Sequence, residues 1–408
     1  MSVLLSEEQK TIIDSVARKN GFTDDFEVSA CAGTVKGDNY LGVITRVTIK
    51  NDARKLEVIL KSASTSEALR KAVSIHNVFC REIYIYEKIF GEFKKFQDNY
   101  IISNPFSGHA KLYETSLKDG HECLVMENIV ENGYKLWNRQ IPMTPEHIKA
   151  VFVEYAKFHA VSLAMKHKNP DLFEDLTSGI EEHVFEADMD DQVKFQSFID
   201  AVINNGSKAL EGVPDLLDVL KRLGTSLPEY FKNEMKDPKW NLVVNHGDCW
   251  CNNLMFKYET PENFSKISKV CILDWQLSKF GSPAADLTYF FFAHSPKEVL
   301  YDYQKYLKLY HDTVCQNLKE FSCDPEEIFP YSLLEEHWIH FIKFGVYMAM
   351  MILKIMYCDS DEAPDLAATT EAGNDVMSSF SFESRNADGY NERVSTLIRF
   401  LVDTGLLS

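Results

Sequence analysis

Apolar residues recur along this chain with two different periods, and the change from one to the other divides it. Near the start, Ile12, Ile13 and Val16 follow Ser6 and Gln9 at spacings that predict a short amphipathic helix opened by a capping box. From residue 26 to 61 the period becomes two. Val43, Thr45, Val47 and Ile49 alternate with Ile44, Arg46 and Thr48, and Leu56, Val58 and Leu60 repeat the alternation after the polar turn Asn51-Asp52-Ala53-Arg54. Such alternation predicts an antiparallel sheet. A further strand is expected over 121–130, where Glu131-Asn132-Gly133 breaks it. After Pro145 the spacing turns helical, with Ile148, Val151, Phe152, Tyr155 and Phe158 on one stripe. Two more helical patterns fall within 185–240, and long helices are predicted over 301–321 and 330–357. The acidic, small-residue stretch 359–389 reads as a mobile loop, and 390–407 as a closing helix.

Composition narrows the class. The chain has 408 residues, 45% hydrophobic and 25% charged, which is enough for two domains or lobes. A formal charge of −18 with no basic run of consequence argues against nucleic acid as partner. The apolar run 344–353, bracketed by Lys343 and Lys354, is far shorter than the roughly 20 residues a membrane span needs. Nine cysteines without a Cys-x-x-Cys pair read as reduced thiols. The first residues turn acidic too early for a secretory leader. A soluble, cytoplasmic, monomeric protein is expected.

The chemistry concentrates in His246-Gly247-Asp248-Cys249-Trp250-Cys251-Asn252-Asn253, followed by Leu273-Asp274-Trp275-Gln276. Phosphoryl transfer needs an oriented alcohol, magnesium against phosphate oxygens and neutralisation of spreading charge. Asp248 suits the base that takes the hydroxyl proton, and Asn253 and Asp274 offer the hard oxygens magnesium prefers. Leu254-Met255-Phe256 and Val270-Cys271-Ile272-Leu273 read as short buried strands, so the three groups can converge. A zinc reading of His246, Cys249 and Cys251 is the rival, although Cys-x-Cys is not a usual structural-zinc spacing. Elsewhere, Lys61 ends a strand and can pair with Glu82 or Glu87 of the next helix. The stretch from Gly33 through Gly37, Asp38, Asn39 and Tyr40 is either a hairpin turn or a loop whose N–H groups meet phosphate. His159 fits a buried scaffold better than a catalytic base, and Asp286 a carboxylate bonded to the catalytic loop better than a third metal ligand.

His246-Gly247-Asp248 with Trp250, Asn253 and Phe256, then Leu273-Asp274-Trp275-Gln276 and Gly281-Ser282-Pro283-Ala284-Ala285-Asp286-Leu287, resembles the ecdysteroid kinase-like family, a branch of the aminoglycoside and choline phosphotransferase superfamily. The resemblance implies an α+β, bilobal protein-kinase-like fold. Residues 1–131 would form a small antiparallel-sheet lobe with a helix, and 132–408 a larger, mainly helical lobe. It also implies ATP and Mg2+, with Gly33 to Tyr40 covering the phosphates and Lys61, held by Glu82 of a Phe-x-x-Glu segment, clamping them. The backbone of Met126, Glu127 and Asn128 would meet adenine, although relatives carry an acidic pair where this chain has Glu127-Asn128. The implied acceptor is a small lipophilic alcohol, an ecdysteroid or a hydroxylated xenobiotic, and the Met and aromatic stripe of 330–357 could face it. A choline-like acceptor and a non-catalytic binding protein are the alternatives.

Overall fold

The computed structural model describes residues 3–23, 25–34, 41–180, 192–260, 263–374, 376, 382 and 384–407, with side chains from 195 onward in the helix that begins at Gln192. Helix α1 (Glu7–Lys19) opens with the predicted capping box, and its Ile12, Ile13, Val16 and Ala17 are buried. They pack on one face of a five-stranded antiparallel sheet, ordered β1-β2-β3-β5-β4, built from β1 (Glu27–Ala32), β2 (Gly42–Lys50), β3 (Lys55–Ala63), β4 (Leu112–Ser116) and β5 (Cys123–Glu127). Val47, Ile49, Val58, Leu60 and Val125 complete this small core. Because side chains alternate across a strand, Ile59 and Lys61 point to the other face. Between β3 and β4 lie α2 (Glu67–Ala72), α3 (Ile75–Tyr84) and α4 (Phe90–Asp98), with one wider helical turn over Ile85–Ile89 joining the last two.

The segment after β5 does more than connect. It makes a 3-10 turn at Ile129–Asn132, closes on Gly133 in the left-handed region, and adds β6 (Tyr134–Leu136) to a second sheet. The expected strand over 121–130 is therefore shorter, because Asn128 turns its side chain onto the Val130 N–H. Helices α5 (Pro145–Lys168), α6 (Pro170–Ser178), α7 (Gln192–Ala209) and α8 (Pro214–Glu229) follow. Then come β7 (Val243–Asn245), β8 (Leu254–Tyr258), β9 (Ile267–Ile272) and β10 (Lys279–Gly281), which form a β6-β8-β9 sheet and a β7-β10 pair. Helix α9 (Pro283–His294) is buried along its whole length. It packs against α11 (Tyr331–Tyr357), flanked by α10 (Tyr303–Glu320) and α13 (Ala387–Asp403).

The whole is an α+β protein, sheet first and helices after. The run Pro325–Tyr357 is long and apolar enough to cross a membrane, yet 67% of its most apolar window is buried in the protein. Its Met350 and Met356, like Trp338 and Phe341, are buried in the main core, whereas Met348 and Met351 are only partly buried against it. One expectation is corrected. The stretch 359–389 contains helix α12 (Leu366–Glu371), which packs on α2 and accepts the Ser66 hydroxyl at Glu371 over 2.8 Å. Arg385 holds the base of this stretch by ion pairs to Asp359, Asp361 and Glu362.

Helices α9 and α11 approach closely at Gly345, where a Cβ would stand 2.5 Å from Thr288 Cβ and 2.8 Å from its backbone carbon. Gly345→Val forces these helices apart and is expected to lower stability by about 1–3 kcal/mol, as overpacked cores do. Thermal unfolding checks it, and an unchanged Tm would contradict the packing.

Candidate active site

Lys61 leaves β3 on the face away from α1, and only 2% of it is exposed. Its Nζ stands 2.6 Å from Glu82 Oε2 on α3. Glu87 points elsewhere and accepts the Thr115 hydroxyl at 2.7 Å, so the competition between the two carboxylates is decided for Glu82. Lys61 Nζ also meets Asp274 Oδ1 at 2.6 Å and Gln276 Oε1 at 3.5 Å. Burial opposes the ammonium charge, but the Asp274 and Glu82 carboxylates outweigh it and push the lysine pKa up.

Asp274 lies two residues past β9 with φ 64° and ψ 68°, a left-handed conformation that ordinary residues rarely adopt. The neighbouring Leu273 N–H donates to Asn253 O at 2.8 Å, which ties the strand end to the loop carrying Asp248. That loop folds around Gly247, whose φ is 86° and where a Cβ would fall 2.1 Å from Leu277 O. Only glycine fits there. Asp286 sits beneath and accepts the N–H groups of His246 at 2.8 Å and Gly247 at 3.0 Å, together with the Cys249 thiol at 3.1 Å and His159 Nε2 at 3.1 Å. Burial disfavours its charge, yet these hydrogen bonds and the nearby histidines hold its pKa down to about 2. His159 is accordingly scaffold, with its other nitrogen 2.9 Å from the Tyr310 hydroxyl.

Asp248 is gripped at both oxygens. Asn253 Nδ2 donates to its Oδ2 at 2.9 Å and to its backbone oxygen at 3.0 Å, and the Tyr289 hydroxyl faces its Oδ1 at 3.4 Å. Burial, reinforced by the Asp274 charge, raises the Asp248 pKa to about 7. Because the Asn253 amide nitrogen is spent on Asp248, the amide oxygen is the atom left to meet a cation. The zinc reading fails on geometry. Cys249 donates to Asp286 and His246 Nε2 to Leu273 O at 2.9 Å. Among the described residues the one cluster with metal-ligand spacing is His76, Asp119 and Glu122, and Arg70 already holds both carboxylates.

The remaining predicted positions cluster less tightly. Gly33 follows β1 directly and its N–H donates to Ile44 O at 2.9 Å, and Ile44 is the cross-strand partner of Lys61. Gly33 is thus at the Lys61 end of the sheet, while Gly37, Asp38, Asn39 and Tyr40 lie outside the described residues. Met126 and Glu127 end β5, two and three residues beyond Leu124, which faces Lys61 across the ladder. The Glu127 N–H donates to Lys111 O at 2.8 Å and the Asn128 N–H to Glu57 O at 3.4 Å. Two contacts escaped the sequence reading, Gln276 beside Lys61 and Tyr289 beside Asp248. The available signal was position alone, Gln276 two residues past Asp274 and Tyr289 one helical turn past Asp286.

The sequence profile of the ecdysteroid kinase-like family matches residues 36–323. The chain belongs to the ecdysteroid kinase-like family. Membership makes it a small-molecule phosphotransferase of the kinase-like superfamily. No curated protein matches it in sequence. Among solved structures it is similar to the GDP complex of wild-type aminoglycoside 2'-phosphotransferase-IIIa, at 11% identity and TM-score 0.39 over 97% of this chain and 99% of that one. It is also similar to spectinomycin phosphotransferase APH(9)-Ia with ADP and spectinomycin, at 9% identity and TM-score 0.41 over 90% and 93%.

The raised Asp248 pKa carries a sign. The folded protein holds this proton up to about pH 7, whereas the unfolded chain releases it near 3.8. Stability from this group therefore falls as pH rises between those values, by up to about 1.4 kcal/mol per unit. In a chelating buffer, Asp248→Asn is expected to gain Tm over the native protein at pH 8 and to keep less than half of that gain at pH 5. A difference independent of pH would contradict the shift.

Proposed function

We propose that this protein is an ATP-dependent kinase of small molecules, which moves the γ-phosphate to a hydroxyl of a lipophilic acceptor, an ecdysteroid or a hydroxylated xenobiotic. The observation that supports it most is the meeting of Lys61, Glu82 and Asp274 within 2.6 Å contacts, beside a loop that binds Asp248 to Asn253. Lys61 grips the nucleotide phosphates, and Glu82 fixes the lysine. Asn253 and Asp274 are the residues that would hold magnesium, since both offer hard oxygens. Magnesium, when bound, supplies the positive charge that the spreading phosphate charge needs.

The acceptor oxygen attacks the γ-phosphorus while Asp248 takes its proton. The new O–P bond forms as the bond to the bridging oxygen breaks, and ADP leaves with that electron pair. With its pKa at about 7, Asp248 is poised to accept a proton near neutrality. The site would work in the cytoplasm, where ATP and magnesium are at hand.

The test is incubation with magnesium and γ-labelled ATP against ecdysteroids, plant phenols and glycosides, and choline, scored by the mass gain of one phosphate. Transfer to a steroid or xenobiotic is expected, and Asp248→Asn should cut it by about 10²–10⁴-fold while ATP still binds. Undiminished transfer by that variant would remove Asp248 from its role, and label on choline alone would replace the acceptor class.

A further inference from the structure

Helix α9 touches the catalytic loop at three points. Asp286 accepts the His246 and Gly247 N–H groups. His294, eight residues on, accepts the Cys251 N–H at Nε2 over 3.0 Å. Its Nδ1 faces Phe290 O at 2.8 Å, and burial lowers its pKa to about 3, so it stays a neutral acceptor. Between them stands Tyr289, one turn after Asp286, with its hydroxyl toward Asp248 Oδ1. Positions i and i+3 share a helix face, so backbone and side chain of the loop are read by one rigid element.

We propose that Tyr289 is a positioning residue that fixes the orientation of the Asp248 carboxylate for proton acceptance. An aspartate carboxylate turns about its last torsion in a broad, twofold well. One donor on one oxygen leaves that rotation partly free, whereas Asn253 on Oδ2 and Tyr289 on Oδ1 define its plane. Tyr289 is 1% exposed, and Asp248 is the hydrogen-bond partner of its hydroxyl among the described residues. A hydroxyl carried into a core commonly has such a partner, because burying it unpaired is costly. The 3.4 Å separation is long for this pair, as catalytic hydrogen bonds in unliganded sites commonly are.

This inference rests on Asp248 as the base. Tyr289→Phe keeps the ring and removes only the hydroxyl, which separates orientation from packing. The probe is magnesium-dependent ATP hydrolysis with water as acceptor, so no alcohol need be identified. Tyr289→Phe is expected to lower kcat about tenfold with KM for ATP and Tm unchanged. A kcat equal to the native value would overturn the proposal. So would a loss of kcat matched by a higher KM and a lower Tm, which is the mark of a packing role. Asp248→Asn serves as the control: if it retains native turnover, the base assignment itself fails, a result distinct from a silent Tyr289→Phe.

Discussion

A single buried ammonium organises this molecule. Lys61 comes from the sheet, Glu82 from the helix packed against it, and Asp274 from the strand end in the other lobe, and all three charges meet within 2.6 Å contacts. Lys61 and Glu82 are 2% and 1% exposed at their side chains, Asp274 16%. Buried ion pairs are poor sources of stability, because desolvation consumes most of the Coulomb gain. A triad of one cation and two anions is poorer still, since it leaves a net negative charge away from water. Its value lies in holding a lysine fixed and charged beside a carboxylate whose excess charge a divalent cation would balance.

The second constraint is the loop beneath that triad. Gly247 in its left-handed conformation, Asp286 under the backbone and His294 at Cys251 leave the loop little freedom. Asp248 is then placed by a chain of hydrogen bonds reaching a helix that is buried along its whole length. Its raised pKa and the unusual backbone of Asp274 are local costs that the surrounding core absorbs, which is where strain gathers at sites of chemistry.

Much of this was legible in the sequence, for identifiable reasons. The strict alternation in β2 and β3 and the Ser6 and Gln9 capping box are local patterns, and local patterns survive into the fold. The spacing of Asp248, Asn253 and Asp274 was equally readable, since one loop and one strand end carry all three. The choice of Glu82 over Glu87 came from the family's Phe-x-x-Glu segment and not from periodicity, because five residues along a helix swing the side chain well around the axis and only the docked helix decides which faces β3. Helix α12 was hidden for a related reason. Six residues cannot hold a helix alone, and packing on α2 from the far end of the chain supplies what propensity does not. Tyr289 was invisible because its helix is apolar almost all round, so sequence offers no face to choose.

The account stands on Lys61 as the phosphate clamp, and calorimetric binding of ATP and of adenosine to the native protein and to Lys61→Ala, both with magnesium, tests that most directly. A charged hydrogen bond to phosphate contributes about 1.5–3 kcal/mol, so Lys61→Ala is predicted to bind ATP roughly tenfold to a hundredfold more weakly while adenosine affinity is unchanged. Equal ATP affinity in the two proteins would contradict the clamp and the function built on it.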